Sequence, residues 1–157
     1  VVDVTVYLVR HAAAGTRNDG DPTDHERPLD ATGHAQAEKL AAWLGLEPVR
    51  RVLSSPYRRC VQTVEPLAKQ LDLDVEIDER LAEGTPIEES WTLLEAVADT
   101  TAVLCSHGDV IPDLVRRLQL RGMQVPGKSG CAKGSVWVLN HWDGERFATG
   151  LYTPVRV

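Results

Sequence analysis

Two continuous apolar runs limit what this chain can become. Val4-Thr5-Val6-Tyr7-Leu8-Val9 and Thr101-Ala102-Val103-Leu104-Cys105 are rich in β-branched residues and show no polar face. Runs of this kind suit strands covered on both sides, as in a mainly parallel sheet. The two are equally apolar, so they are expected to be neighbours at the centre of that sheet.

Between and after them, helical and extended patterns alternate. Asp30 predicts a helix cap for residues 31–45, where Ala37, Leu40, Ala41 and Leu44 form one apolar stripe and Gly45 is a stop. Residues 49–53 and 75–77 read as short strands. Ser54-Ser55-Pro56 reads as a helix start, with a serine cap and proline in the first turn of a helix running to Leu71. Its inward residues are Val61, Val64, Leu67, Ala68 and Leu71. Further helices are expected over 88–99 and 109–120. Strands over 135–141 and 146–152 meet at Asp143-Gly144, a tight-turn dipeptide. This order predicts an α/β fold: three layers, α/β/α, around a mostly parallel sheet with at least one antiparallel strand. A length of 157 residues fits a single domain over 1–157.

Composition narrows the partners. The net charge of −6 argues against a nucleic-acid polymer or an anionic membrane surface, and no run approaches a membrane span. No secretory leader pattern precedes the first strand. Three cysteines (Cys60, Cys105, Cys131) cannot all pair and form no C-x-x-C, which fits a reducing, cytoplasmic setting. The start at Val1 is compatible with a piece cut from a longer protein. His25, His34 and His141 lack zinc-site spacing, Asp19, Asp21 and Asp24 read as a solvated loop, and neither a P-loop nor a G-x-G-x-x-G occurs.

The chemistry gathers at strand ends. Arg10-His11 follows the first run and Ser106-His107-Gly108 follows the second. Ligands of open α/β sheets bind outside such carboxyl ends. A neutral imidazole can attack phosphorus, and a guanidinium can grip a phosphate with two hydrogen bonds. Arg58 and Arg59 open a predicted helix, where the dipole disfavours cations and a bound anion would compensate. A carboxyl group is needed to protonate a leaving group. Glu83 is the candidate, with Asp78, Glu79, Glu88 and Glu89 as rivals. The loop over 13–28 and the segment over 122–134 are expected to rim the pocket; Lys128 and Lys133 in the latter read first as solvated loop lysines, with contact to an extra phosphate as the alternative.

Leu8-Val9-Arg10-His11, Ser55-Pro56-x-x-Arg59-x-x-Gln62-Thr63 and Ser106-His107-Gly108 resemble, in that order, the motifs of the histidine phosphatase superfamily, the phosphoglycerate-mutase-like fold. The short length and Arg27-Pro28-Leu29-Asp30-x-x-Gly33-x-x-Gln36-Ala37 resemble its small bacterial phosphohistidine phosphatases (the SixA-like branch). They equally resemble a module found after a Nudix module in some nucleotide hydrolases. Ala12 stands where most members have glycine, and Glu83 matches an acid that small members often lack.

The resemblance implies a reaction without metal or other cofactor. His11 attacks phosphorus and is phosphorylated. Arg10, Arg59 and His107 hold the phosphate oxygens, Glu83 or another acid protonates the leaving group, and water completes the cycle. The implied partner is a phosphohistidine protein or a small phosphorylated molecule. A nucleotide phosphatase is the alternative enzyme, and a phosphate-binding module the non-catalytic one.

Overall fold

The computed structural model describes residues 3–157. Six strands form one mixed sheet, in the order β3-β2-β4-β1-β5-β6. They are β1 (Thr5–Arg10), β2 (Arg51–Ser54), β3 (Val75–Ile77), β4 (Ala102–Ser106), β5 (Val136–Trp142) and β6 (Phe147–Thr153). The first four are mutually parallel, and β5 and β6 close the sheet as an antiparallel hairpin. β1 and β4 do lie side by side at the centre, with Arg10 opposite Ser106.

Strand periodicity sorts the core into two layers. Val6 and Leu8 of β1, with Leu104 of β4, face helices α3 (Ile87–Val97) and α4 (Val110–Leu120). Tyr7 and Val9, with Val103 and Cys105, face α1 (Ala31–Leu44) and α2 (Arg58–Gln70). Both faces of the central strands are therefore dry, as their unbroken apolar sequence requires.

Two helix boundaries depart from expectation. Ser55 and Pro56 are not the first turn of α2, which begins at Arg58 after an extended Tyr57 with no side-chain cap. The reason is that the Ser55 hydroxyl is engaged elsewhere, as described below. Val61 and Leu71 are only half-buried, while Cys60 and Thr63 are buried. Gly45 does end α1, but with right-handed backbone (φ −65°). Its lack of a side chain matters because a Cβ there would stand 1.9 Å from Gln70 Nε2 on α2. Asp30 caps α1 as expected, its carboxylate accepting from Gly33 N at 2.8 Å. Two 3₁₀ turns, Asp24–Glu26 and Glu79–Leu81, fall in segments with no sequence pattern to announce them. Among the described residues no helix is long and apolar enough to cross a membrane.

Candidate active site

The parallel register of β1 and β4 brings Arg10-His11 and Ser106-His107 to one edge of the sheet. His11 N donates to Ser106 O at 3.0 Å, and the two imidazole rings stand 5.4 Å apart. Both rings are buried. His11 Nδ1 lies 2.9 Å from Ala12 O. A carbonyl oxygen only accepts, so Nδ1 carries the proton and Nε2 keeps its lone pair. Burial lowers the His11 pKa to about 3, and the nearby His107, Arg59 and Arg10 push the same way against the Ala12 hydrogen bond. The ring is therefore neutral at ordinary pH.

Three further contacts set the loop after β1. Ala12 N donates to Thr63 Oγ1 at 2.9 Å, and Ala13 N to Gln36 Oε1 at 2.9 Å. Leu29 N donates to Gln62 Oε1 at 2.8 Å. Gln36, Gln62 and Thr63 thus hold backbone around the histidine. Gly33 lets α1 approach that loop, since a Cβ there would meet Ala13 O at 1.9 Å.

Arg10 continues β1 and lies against Gly108, where a Cβ would stand 2.8 Å from the guanidinium carbon. Its Nη1 donates to Cys131 O. Arg59, the second residue of α2, is 1 % exposed, whereas Arg58 is exposed. Arg59 Nη1 donates to Asp24 O at 3.0 Å, and Nη2 is 3.3 Å from the Asp24 carboxylate and 3.6 Å from Glu83. Its guanidinium sits 4.9 Å from the centre of the Tyr57 ring. Asp24, which the sequence suggested was merely solvated, is thus a buttress of the site. It also accepts from Arg27 Nε at 3.0 Å, and these partners hold its carboxyl below the usual range against the opposing effect of desolvation.

Arg10, His11, Arg59 and Glu83 line one cavity of about 600 Å³. Its other charged residues are Arg17, Arg27, Lys133 and Asp109. His107 packs behind it, beside His11, Tyr57 and Cys60. Glu83 accepts from Arg17 Nη1 at 3.1 Å and Nη2 at 3.3 Å. The rival acids lie elsewhere: Asp78 binds Arg80, and Glu88 binds Arg117. Asp109 caps α4 and accepts from Gly84 N at 2.8 Å, which ties the Glu83 loop to the end of β4. Lys133 reaches the cavity, but Lys128 lines a neighbouring groove instead. Sequence reasoning missed Arg17 and Asp24; the crowd of charges over 17–27 was the available signal.

Among the described residues, three buried side-chain nitrogens have no hydrogen-bond partner: Arg10 Nε, Arg59 Nε and His107 Nδ1. Buried polar atoms without a partner are uncommon in folded proteins, and all three belong to residues gathered at this sheet edge. No group of three or more His, Cys, Asp or Glu side chains is gathered among the described residues as a metal site would need.

The comparisons with known proteins agree on the type of molecule. The model of the histidine phosphatase superfamily (branch 1) matches residues 6–86. The chain is 34% identical over 155 residues to an 8-oxo-(d)GTP phosphatase of Mycolicibacterium smegmatis, covering 96% of this chain and 48% of that protein. The chain thus spans about half the length of that curated relative. The protein histidine phosphatase SixA, solved with tungstate, superposes with a TM-score of 0.72 at 24% identity, over 96% of this chain and 95% of that one. A mycobacterial glucosyl-3-phosphoglycerate phosphatase, solved with VO3, gives a TM-score of 0.72 at 20% identity, over 98% of each chain. At those identities the likeness is one of fold, and that fold is phosphoglycerate-mutase-like.

Proposed function

This chain belongs to the histidine phosphatase superfamily, and on that footing we propose that it hydrolyses small phosphorylated molecules through a phosphohistidine formed on His11. The observation that carries this reading is the coincidence of three unmatched buried nitrogens, on Arg10, Arg59 and His107, with a neutral imidazole beside them. A tetrahedral oxyanion in the cavity would meet the Arg10 and Arg59 guanidinium groups that line it, with His107 packed directly behind His11.

His11 Nε2 attacks phosphorus in line with the leaving oxygen or nitrogen, and that bond breaks as the N–P bond forms. Positive charge then builds on the ring, where the Nδ1–H to Ala12 O hydrogen bond stabilises it. Arg10, Arg59 and His107 hold the non-bridging oxygens as their charge shifts. Glu83 donates a proton to the leaving group. Water next attacks the phosphohistidine and gives a proton back to Glu83, the N–P bond breaks, and the free imidazole and inorganic phosphate are returned. Uncatalysed phosphate monoester hydrolysis is among the slowest reactions known, with enzymatic accelerations reaching about 10²¹-fold. Preorganised donors on a rigid sheet edge suit that demand. No step calls for a metal.

Two observations favour a nucleoside phosphate over a phosphohistidine protein. The cavity carries five cations against two carboxylates, a surplus that suits more than one phosphate. The curated relative acts on 8-oxo-(d)GTP.

The test is a substrate panel of nucleoside di- and triphosphates, sugar phosphates, p-nitrophenyl phosphate and a phosphohistidine peptide, run with and without chelator. His11→Ala should abolish turnover and the acid-labile phosphoenzyme. Glu83→Gln should slow substrates with poor leaving groups while sparing p-nitrophenyl phosphate. Full activity in His11→Ala would reject the mechanism, and loss of activity on chelation would reject its independence of metal.

A further inference from the structure

The Ser55 hydroxyl does not cap α2. It lies 2.9 Å from His107 Nε2, and both residues are buried. A hydroxyl has one proton to give and two lone pairs to receive. One lone pair takes the Tyr57 N–H at 3.2 Å. Among the described residues no carbonyl or carboxylate accepts the Ser55 proton, so its one oxygen or nitrogen acceptor is Nε2. Buried polar hydrogens are matched wherever a partner exists. Matching this one to an acceptor stronger than the Cys60 sulfur requires Nε2 to be unprotonated, which places the ring proton of His107 on Nδ1. That atom is the buried nitrogen with no partner.

We propose that Ser55 is a positioning residue: it holds His107 as the Nδ1–H tautomer, so that Nδ1–H donates to an oxygen of the phosphoryl group. This rests on the proposed role of His107 as a phosphate-holding donor. The opposite tautomer would leave the serine proton only the weakly accepting Cys60 sulfur and turn a lone pair on Nδ1 toward an anion. The other titratable neighbours of the ring do not supply the same control. Cys60 Sγ is 3.5 Å from Nε2, but a thiol is a weak partner and also has Ser106 O at 3.7 Å. Tyr57 and His11 meet the ring edge-on at centroid distances of 4.7 and 5.4 Å.

Long-range ¹H–¹⁵N spectra of the ¹⁵N-histidine-labelled chain test this directly. Besides His11, a second side chain should show a protonated Nδ1 and a bare Nε2; it should persist in His11→Asn and vanish in His107→Gln. Inorganic phosphate should shift its Nδ1 resonance. In Ser55→Ala the tautomer signature should be lost, and kcat/KM should fall on the order of ten- to a hundred-fold, the range seen when outer partners of metal-ligating histidines are removed. Ser55→Thr keeps the hydroxyl and should restore both. Should the added methyl prevent folding, the wild-type spectrum decides alone. A protonated Nε2 on His107 in the wild type, or wild-type kcat/KM in Ser55→Ala, overturns the proposal. The phosphoenzyme test on His11 stands apart from the spectrum, so the two readings fail separately.

Discussion

A histidine that attacks phosphorus must keep a lone pair at working pH and aim it outward. His11 does both by local means: burial disfavours the imidazolium, and the Ala12 carbonyl takes Nδ1–H. The same burial has a thermodynamic signature. Above pH 6.5 the ring is neutral in folded and unfolded chains, and it contributes no pH dependence. Between 6.5 and about 3 the unfolded chain binds a proton that the folded chain refuses. Stability must therefore be lost as the pH is lowered through that window, by up to about 1.4 kcal/mol per pH unit from this group. Urea unfolding of wild type and His11→Asn at several pH values should show that slope in the difference between them; parallel curves would contradict it. At this scale Arg10, His11, Arg59 and His107 were legible because strand ends and helix starts announce themselves locally. Asp24 and Ser55 were not. Their roles depend on contacts with residues 35 and 52 positions away, which no local pattern encodes.

Elements carry the next level of control. Ala is the better helix former by about 1 kcal/mol, so Gly33 on α1 looks improvable in isolation. In place, its missing Cβ is what lets α1 press against Ala13 O, two residues after His11. Gly33→Ala should lower stability by about 1–3 kcal/mol through overpacking and reduce kcat together with it. Thermal melts and steady-state rates check this. Gly20→Ala, whose methyl would meet nothing closer than 3.7 Å, is the control. The order and type of the main elements followed from apolar periodicity. The start of α2 did not, because serine-proline is a sound local start signal until a distant imidazole claims the serine.

At the scale of the whole molecule, an acidic chain of net charge −6 would have to draw the proposed anionic substrate into a cavity lined by five cations. Local field must outweigh the general repulsion, and salt weakens field. The KM for a nucleoside triphosphate should rise several-fold between about 0.01 and about 0.15 M ionic strength while kcat changes little. A flat KM would show that the surplus cations are already neutralised by Asp19, Asp24 and Glu83, with which Arg17, Arg27 and Arg59 are paired.

The two histidines owe their spacing to backbone hydrogen bonds between neighbouring parallel strands at the centre of the sheet. The segments bearing Arg17 and Lys133 belong to loops instead. Such a division lets the bond-breaking apparatus stay constant while the rim is rewritten for a new clientele. Grafting either loop from another phosphatase of this architecture should therefore change which phosphates are accepted without rebuilding the engine beneath them.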